Sequence, residues 1–128
     1  MPPEPPALGV LLESGRHDRA HYAFVVATAA AALGRRAVLF ATNQGCRALL
    51  TEWSALHDAD RDVRLRAVGV AGLDELRTAA RELGVRMIAC EAGLRSEHID
   101  TARLMPGVEV AGIATLLSDL GSGQIVTF

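Results

Sequence analysis

The stretch that most constrains this fold is Val85-Arg86-Met87-Ile88-Ala89-Cys90, with Gly84 before it and Glu91-Ala92-Gly93-Leu94 behind it. A short apolar run bounded by glycines reads as a strand covered on both faces. Such strands belong to parallel sheets with helices on either side. In open parallel sheets, ligands and reactive groups gather just beyond the carboxyl ends of the strands. Cys90 falls at such an end.

The same pattern recurs along the chain. Leu8–Leu12 and Ala37–Ala41 are apolar throughout and read as strands, each followed by a polar turn. The first turn is Glu13 to Asp18, with Asp18 as N-cap. An Ala-rich helix then runs to about Leu33, with Ala20, Phe24, Ala27 and Ala31 on one face, and Gly34 stops it. The second turn is Thr42-Asn43-Gln44-Gly45, leading into a short helix from Cys46 to about Trp53. Ser54–Asp62 is charged and without period, so it reads as a loop that could cover the site. Val63-Arg64-Leu65-Arg66 alternates, as an extended segment with one wet face would. Leu73, Leu76, Ala80 and Leu83 recur at helical spacing. Leu94–Met105 reads as one helix with His98 on its polar side, Val108–Val110 as a strand, and Ala111–Leu120 as a helix. Gln124–Phe128 is a last strand at an edge or an interface. Strand and helix alternate about five times. The expectation is a three-layer α/β sandwich with a mainly parallel sheet of about five strands. Residues 8–128 form its single domain, behind a proline-rich, disordered or extended tail over residues 1–7.

Half of the 128 residues are apolar and 22% are charged, which suits one globular domain with a real core. A net charge of −2 and 4% aromatic residues offer neither the basic excess nor the stacking surface of a nucleic-acid binder. No apolar run approaches the ~20 residues that cross a bilayer. The start of the chain is acidic and proline-rich, unlike a secretory leader, so the expected compartment is the cytoplasm. Two cysteines in a reducing compartment argue against a structural disulfide.

The chemistry then rests on few residues. A thiol at a strand end leading into a helix has its anion favoured by backbone N–H groups and the helix dipole, while Glu91 beside it acts the other way. A buried cysteine in that place is equally a small core residue, so Cys90 is open to both readings. Cys46 follows the second strand in the equivalent place. If the strands are neighbours, both sulfurs line one crevice; otherwise Cys46 packs under its own helix. Ser14 and Gly15 at the first strand end, with Asn43 and Gly45 at the second, could shape a rim for a small anion. His17 and His21 are four apart, as paired metal ligands would be, but no third ligand is evident and a solvated polar face is the expected role. His57 and His98 read as surface residues. There is no phosphate loop, dinucleotide fingerprint, Cys-x-x-Cys or nucleophile elbow, so no metal or cofactor is implied.

Taken together, these segments resemble the DsrE/DsrF-like sulfur-relay family, and within it the peroxiredoxin-like DsrE branch. Three patterns carry the resemblance. The first is Ser14-Gly15 with the Ala-rich helix ending at Leu33-Gly34. The second is Leu39-Phe40-Ala41-Thr42 with Gly45 and Leu49-Leu50. The third is Leu73 to Cys90 followed by Val108-Glu109-Val110-Ala111-Gly112-Ile113-Ala114-Thr115. The resemblance spans about Leu8–Phe128. It departs at Glu91–Leu94, where the branch has Met and Ser residues. It departs also at Ser54–Arg66, which is shorter and more charged, and at Cys46, where an apolar or aromatic residue is typical. The resemblance implies a cofactor-free homo-oligomer, trimer or hexamer, that carries sulfane sulfur as a persulfide on Cys90 between donor and acceptor proteins. Cys46 would then be a resolving or second thiol, and Ser14, Gly15, Asn43, Gly45 and Glu91 would line the crevice. The alternative is a non-catalytic oligomeric module binding a small anion or a protein partner, with both cysteines in the core.

Overall fold

The structure is a computed structural model describing residues 3–128. Five parallel strands form one sheet in the order β4-β3-β2-β1-β5. They are β1 (Leu8–Leu12), β2 (Ala37–Ala41), β3 (Arg86–Cys90), β4 (Glu109–Ala111) and β5 (Gln124–Thr127). Val10 stands opposite Leu39, and Leu39 opposite Met87. β2 is buried at every position, because it is central and covered on both faces.

Side-chain alternation divides the core into two layers. Leu8, Val10, Leu12, Leu39, Ala41, Met87 and Ala89 face α1 (His17–Ala32) and α3 (Leu73–Glu82). Val38, Phe40, Ile88 and Cys90 face α5 (Ile113–Leu120), through Leu116 and Leu120. This is the expected three-layer sandwich. The first layer is the thicker. α1 presents Ala20, Ala23, Phe24, Ala27 and Ala30 to the sheet, and its small side chains let the helix lie close. Burying Phe24 fully contributes about 1.5–3 kcal/mol. Gly34 ends α1 with φ 85°, a conformation only glycine adopts without strain.

Four local expectations are corrected. Asp18 is not the N-cap: α1 begins at His17 behind Arg16, and Asp18 pairs with the Arg16 guanidinium at 2.8 Å. Val63–Arg66 is not extended but lies inside a helix, α2 (Arg61–Ala67), because four alternating residues fit a helical turn as well as a strand. The turn after β2 is itself a 3-10 helix, Asn43–Leu49, so it starts earlier than Cys46 and ends before Trp53. Leu94–Met105 is not one helix. α4 (Glu91–Ser96) stops where His98 turns left-handed, with φ 55°, and the Ile99 N–H bonds back to the Leu94 carbonyl. A 3-10 turn, Thr101–Arg103, follows, capped by the Asp100 carboxylate accepting from the Ala102 N–H.

Of the tail expected over residues 1–7, Met1 and Pro2 lie outside the described residues. Pro6 and Ala7 are tied down, the Pro6 carbonyl by Arg35 and the Ala7 carbonyl by the Gln124 N–H. Among the described residues no helix is long and apolar enough to cross a membrane.

Candidate functional site

The carboxyl ends of β1, β2 and β3 share one rim of the sheet, and every candidate residue lies on it. Cys90 closes β3 and is the N-cap residue of α4. Its sulfur makes no capping hydrogen bond to the first turn of α4. Strand alternation turns the side chain towards α5, where Ile88, Phe40 and Leu116 lie in the same layer. The residue keeps 8% of its surface. Ala111 of β4 is its cross-strand partner and is only partly buried. Glu91, the next residue, is exposed and pairs with Arg95 one turn on at 2.9 Å.

Cys46 is in a different environment. It is wholly buried, in the layer under α1, and its thiol donates to the Ala41 carbonyl at 3.5 Å. Burial first, then the charge of a Cys90 thiolate, push the Cys46 thiol up to about 11, against the opposing pull of the Cys90 backbone N–H. The two thiols therefore feel one another without sharing a packing layer. Both are free.

Three of the four rim residues are spent on local contacts. Ser14 Oγ accepts from the Arg16 N–H at 3.1 Å. A Cβ on Gly15 would stand 2.6 Å from that of Gln44, and one on Gly45 would run into the Leu12 carbonyl. The Gly45 N–H donates to the carbonyls of Glu13 and Thr42. Asn43 is exposed and left-handed, with φ 50°. Its N–H lies where α4 touches the turn, since a Cβ on Gly93 would be 2.6 Å away. The glycines thus mark close approaches between elements. Arg47 completes the seam by pairing with Glu97 at 3.3 Å.

Away from the cysteines, the structure corrects the reading of His17 and His21 as a solvated face. Both are buried, with ring centroids 5.7 Å apart. His17 Nε2 donates to the Asp62 carboxylate at 2.8 Å, and His21 Nε2 to the Ala71 carbonyl at 2.8 Å. Burial pushes the Asp62 carboxyl up, but bonds from His17 and the Leu73 N–H, with the charge of Arg66, outweigh it and hold the group below its ordinary value. Among the described residues no group of three or more His, Cys, Asp or Glu could hold a metal ion. His57 and His98 are exposed.

Arg77 is a second buried polar centre that composition does not betray. Its guanidinium donates to the carbonyls of Ala48 and Leu50, and to that of Thr51 at 3.3 Å, pinning the end of the 3-10 helix that carries Cys46. Helical periodicity puts Arg77 one residue after Leu76, on the margin of the apolar stripe. That position was the one available signal.

Comparison with known proteins gives a consistent picture. Residues 61–128, more than half of the chain, match the DsrE/DsrF/DrsH-like family. The sulfur carrier protein DsrE2 of Allochromatium vinosum is 25% identical, over 94% of this chain and 96% of that protein. The crystal structure of the ychN protein from E. coli superposes with a TM-score of 0.71 at 14% identity, covering 96% of this chain and 99% of that one. A Methanobacterium thermoautotrophicum protein of unknown function, MTH1491, superposes with a TM-score of 0.66 at 16% identity, with the same coverage. The two structural likenesses establish the fold.

Proposed function

The chain belongs to the DsrE/DsrF/DrsH-like family, and from that premise we propose that it is a cytoplasmic sulfur carrier whose Cys90 holds sulfane sulfur as a persulfide. The observation that carries this reading is the place of Cys90. It stands at the carboxyl end of an interior parallel strand and retains surface, whereas Cys46 retains none. The relative named as a sulfur carrier supports the same chemistry.

The transfer needs no oxidant and no cofactor. Cys90 gives its proton to solvent, and the thiolate attacks the outer sulfur of a donor persulfide. The donor S–S bond breaks, its inner sulfur leaves as a thiolate and takes up a proton, and Cys90 becomes a persulfide. An acceptor thiolate then attacks the outer sulfur on Cys90 in the same way and frees the Cys90 thiol. Cys46 has no step of its own in this scheme, because burial keeps its thiol protonated at neutral pH. Ser14, Gly15, Asn43 and Gly45 hold the turns beside Cys90 in register. Glu91 with Arg95 forms the charged surface that a donor or acceptor protein meets.

The test is mass spectrometry after incubation with a sulfane donor. An adduct of about 32 Da, one sulfur, removable by reductant, is expected in the wild type and in Cys46→Ser but absent from Cys90→Ser. A wild type that stays unmodified overturns the proposal.

The protein-partner form of the alternative has a specific observation in its favour. Ile113 and Leu117 of α5 and Ile125 of β5 are 44–52% exposed on the face of the sheet that, among the described residues, α5 alone covers. We assign this face to self-association, as a homo-oligomer in which each copy covers the next.

A further inference from the structure

Residues 58–70, which include α2, are attached to the domain in an unusual way. A helix of a small domain ordinarily docks through an apolar stripe. Here Asp62 is the one buried residue of the thirteen-residue segment. Val63, Val68 and Val70 are 60%, 75% and 42% exposed. The backbone bonds of the segment close on themselves, as in Arg61 N–H to Asp58, Val68 N–H to Leu65 and Val70 N–H to Leu65. Its ion pairs Arg64–Asp58 and Arg66–Asp62 are internal too.

What ties the middle of the segment down is one imidazole and one backbone N–H. His17 Nε2 and the Leu73 N–H both meet Asp62 Oδ1 at 2.8 Å, and Arg61 donates to His17 Nδ1 at 3.4 Å. An arginine can only donate, so Nδ1 carries a lone pair and the proton sits on Nε2. The flanks are firmly held. On one side the His57 N–H bonds to the Gly15 carbonyl and the His17 N–H to the His57 carbonyl. On the other the Ala71 carbonyl accepts from His21. Left-handed residues sit at both junctions, Asp58 with φ 58° and Gly69 with φ 81°. A cavity of about 150 Å³, lined by Trp53, Asp62, Arg66, Gly72, Asp74 and Glu75, borders the tied carboxylate.

We propose that residues 58–70 form a strap, latched by Asp62 on His17, that opens as a unit about Asp58 and Gly69 while the rest of the domain stays folded. Opening exposes little apolar surface and returns a carboxylate to water, so it costs a fraction of global unfolding. It uncovers the His17 imidazole on the same rim of the sheet as Cys90. The inference stands apart from the carrier reading, since it uses neither cysteine.

Amide hydrogen exchange on the full chain tests it. In the wild type, amides of residues 61–70 should exchange at least about 100-fold faster than those of α1 and β2, at a rate nearly independent of low denaturant. In Asp62→Asn, exchange in the strap should rise at least about tenfold further, while α1, α3 and β3 keep their wild-type protection. Strap amides that exchange only together with α1 and β2 in the wild type overturn the proposal, whatever the variant does. So does an Asp62→Asn protein in which every segment loosens equally.

Discussion

At the scale of single residues, chemistry follows environment more than identity. Both cysteines are buried on one rim, Cys90 keeping 8% of its surface and Cys46 none. Alkylation of the native protein near pH 8 should label Cys90 alone, and Cys46 should react only when the chain unfolds. Peptide mapping reads this directly, and equal labelling of both would contradict the assigned burial. The burial that pushes the Cys46 thiol up to about 11 is a desolvation effect that no sequence window reports. Arg77 is similar. Replacing it with Ala leaves the carbonyls of Ala48 and Leu50 buried without a donor, and unfolding in urea should show a loss of about 2–3 kcal/mol. Asp62 sets a pH dependence. Its folded value lies below the ordinary 3.8, so its contribution is complete above that value and is lost as the pH falls through the folded one. The stability gap between wild type and Asp62→Asn should therefore shrink on going from pH 6 to pH 2.5, and a gap unchanged over that range would refute the pairing.

At the scale of elements, short polar contacts decide where the small helices lie. α4 rests against the turn after β2 because residue 93 has no side chain. Gly93→Ala would drive its Cβ at the Asn43 N–H and push α4 outward. A loss of about 1–3 kcal/mol is expected, with a changed rate of Cys90 alkylation and Cys46 still protected. Retained stability and an unchanged rate would show that α4 has room to spare. The core strands and the long helices were legible from the chain. Leu8–Leu12 and Ala37–Ala41 are unbroken apolar runs, and Leu73, Leu76 and Ala80 keep one helical spacing. The short pieces were not. Residues 63–66 fit two periods at once, and the break at His98 depends on a backbone angle that histidine adopts only because its neighbours hold it.

At the scale of the whole molecule, the two faces of the sheet are unequally covered. α1 and α3 thatch one face, while α5 alone lies on the other and leaves Ile113 and Leu117 half exposed. Sedimentation should find an oligomer at micromolar concentration, and Ile113→Glu with Leu117→Glu should convert it to a folded monomer. A wild type that sediments as a monomer would remove self-association from the account. The order of apolar runs and glycines along the chain was enough to determine a parallel, layered α/β domain with Cys90 at a strand end, because periodicity and turn chemistry are local properties. Tertiary structure alone decided that Cys46 is sealed in the opposite layer, that the rim glycines are contact points, and that two histidines and a carboxylate are buried together. Those outcomes depend on which distant segments meet, and a buried polar group looks the same in the sequence as a solvated one.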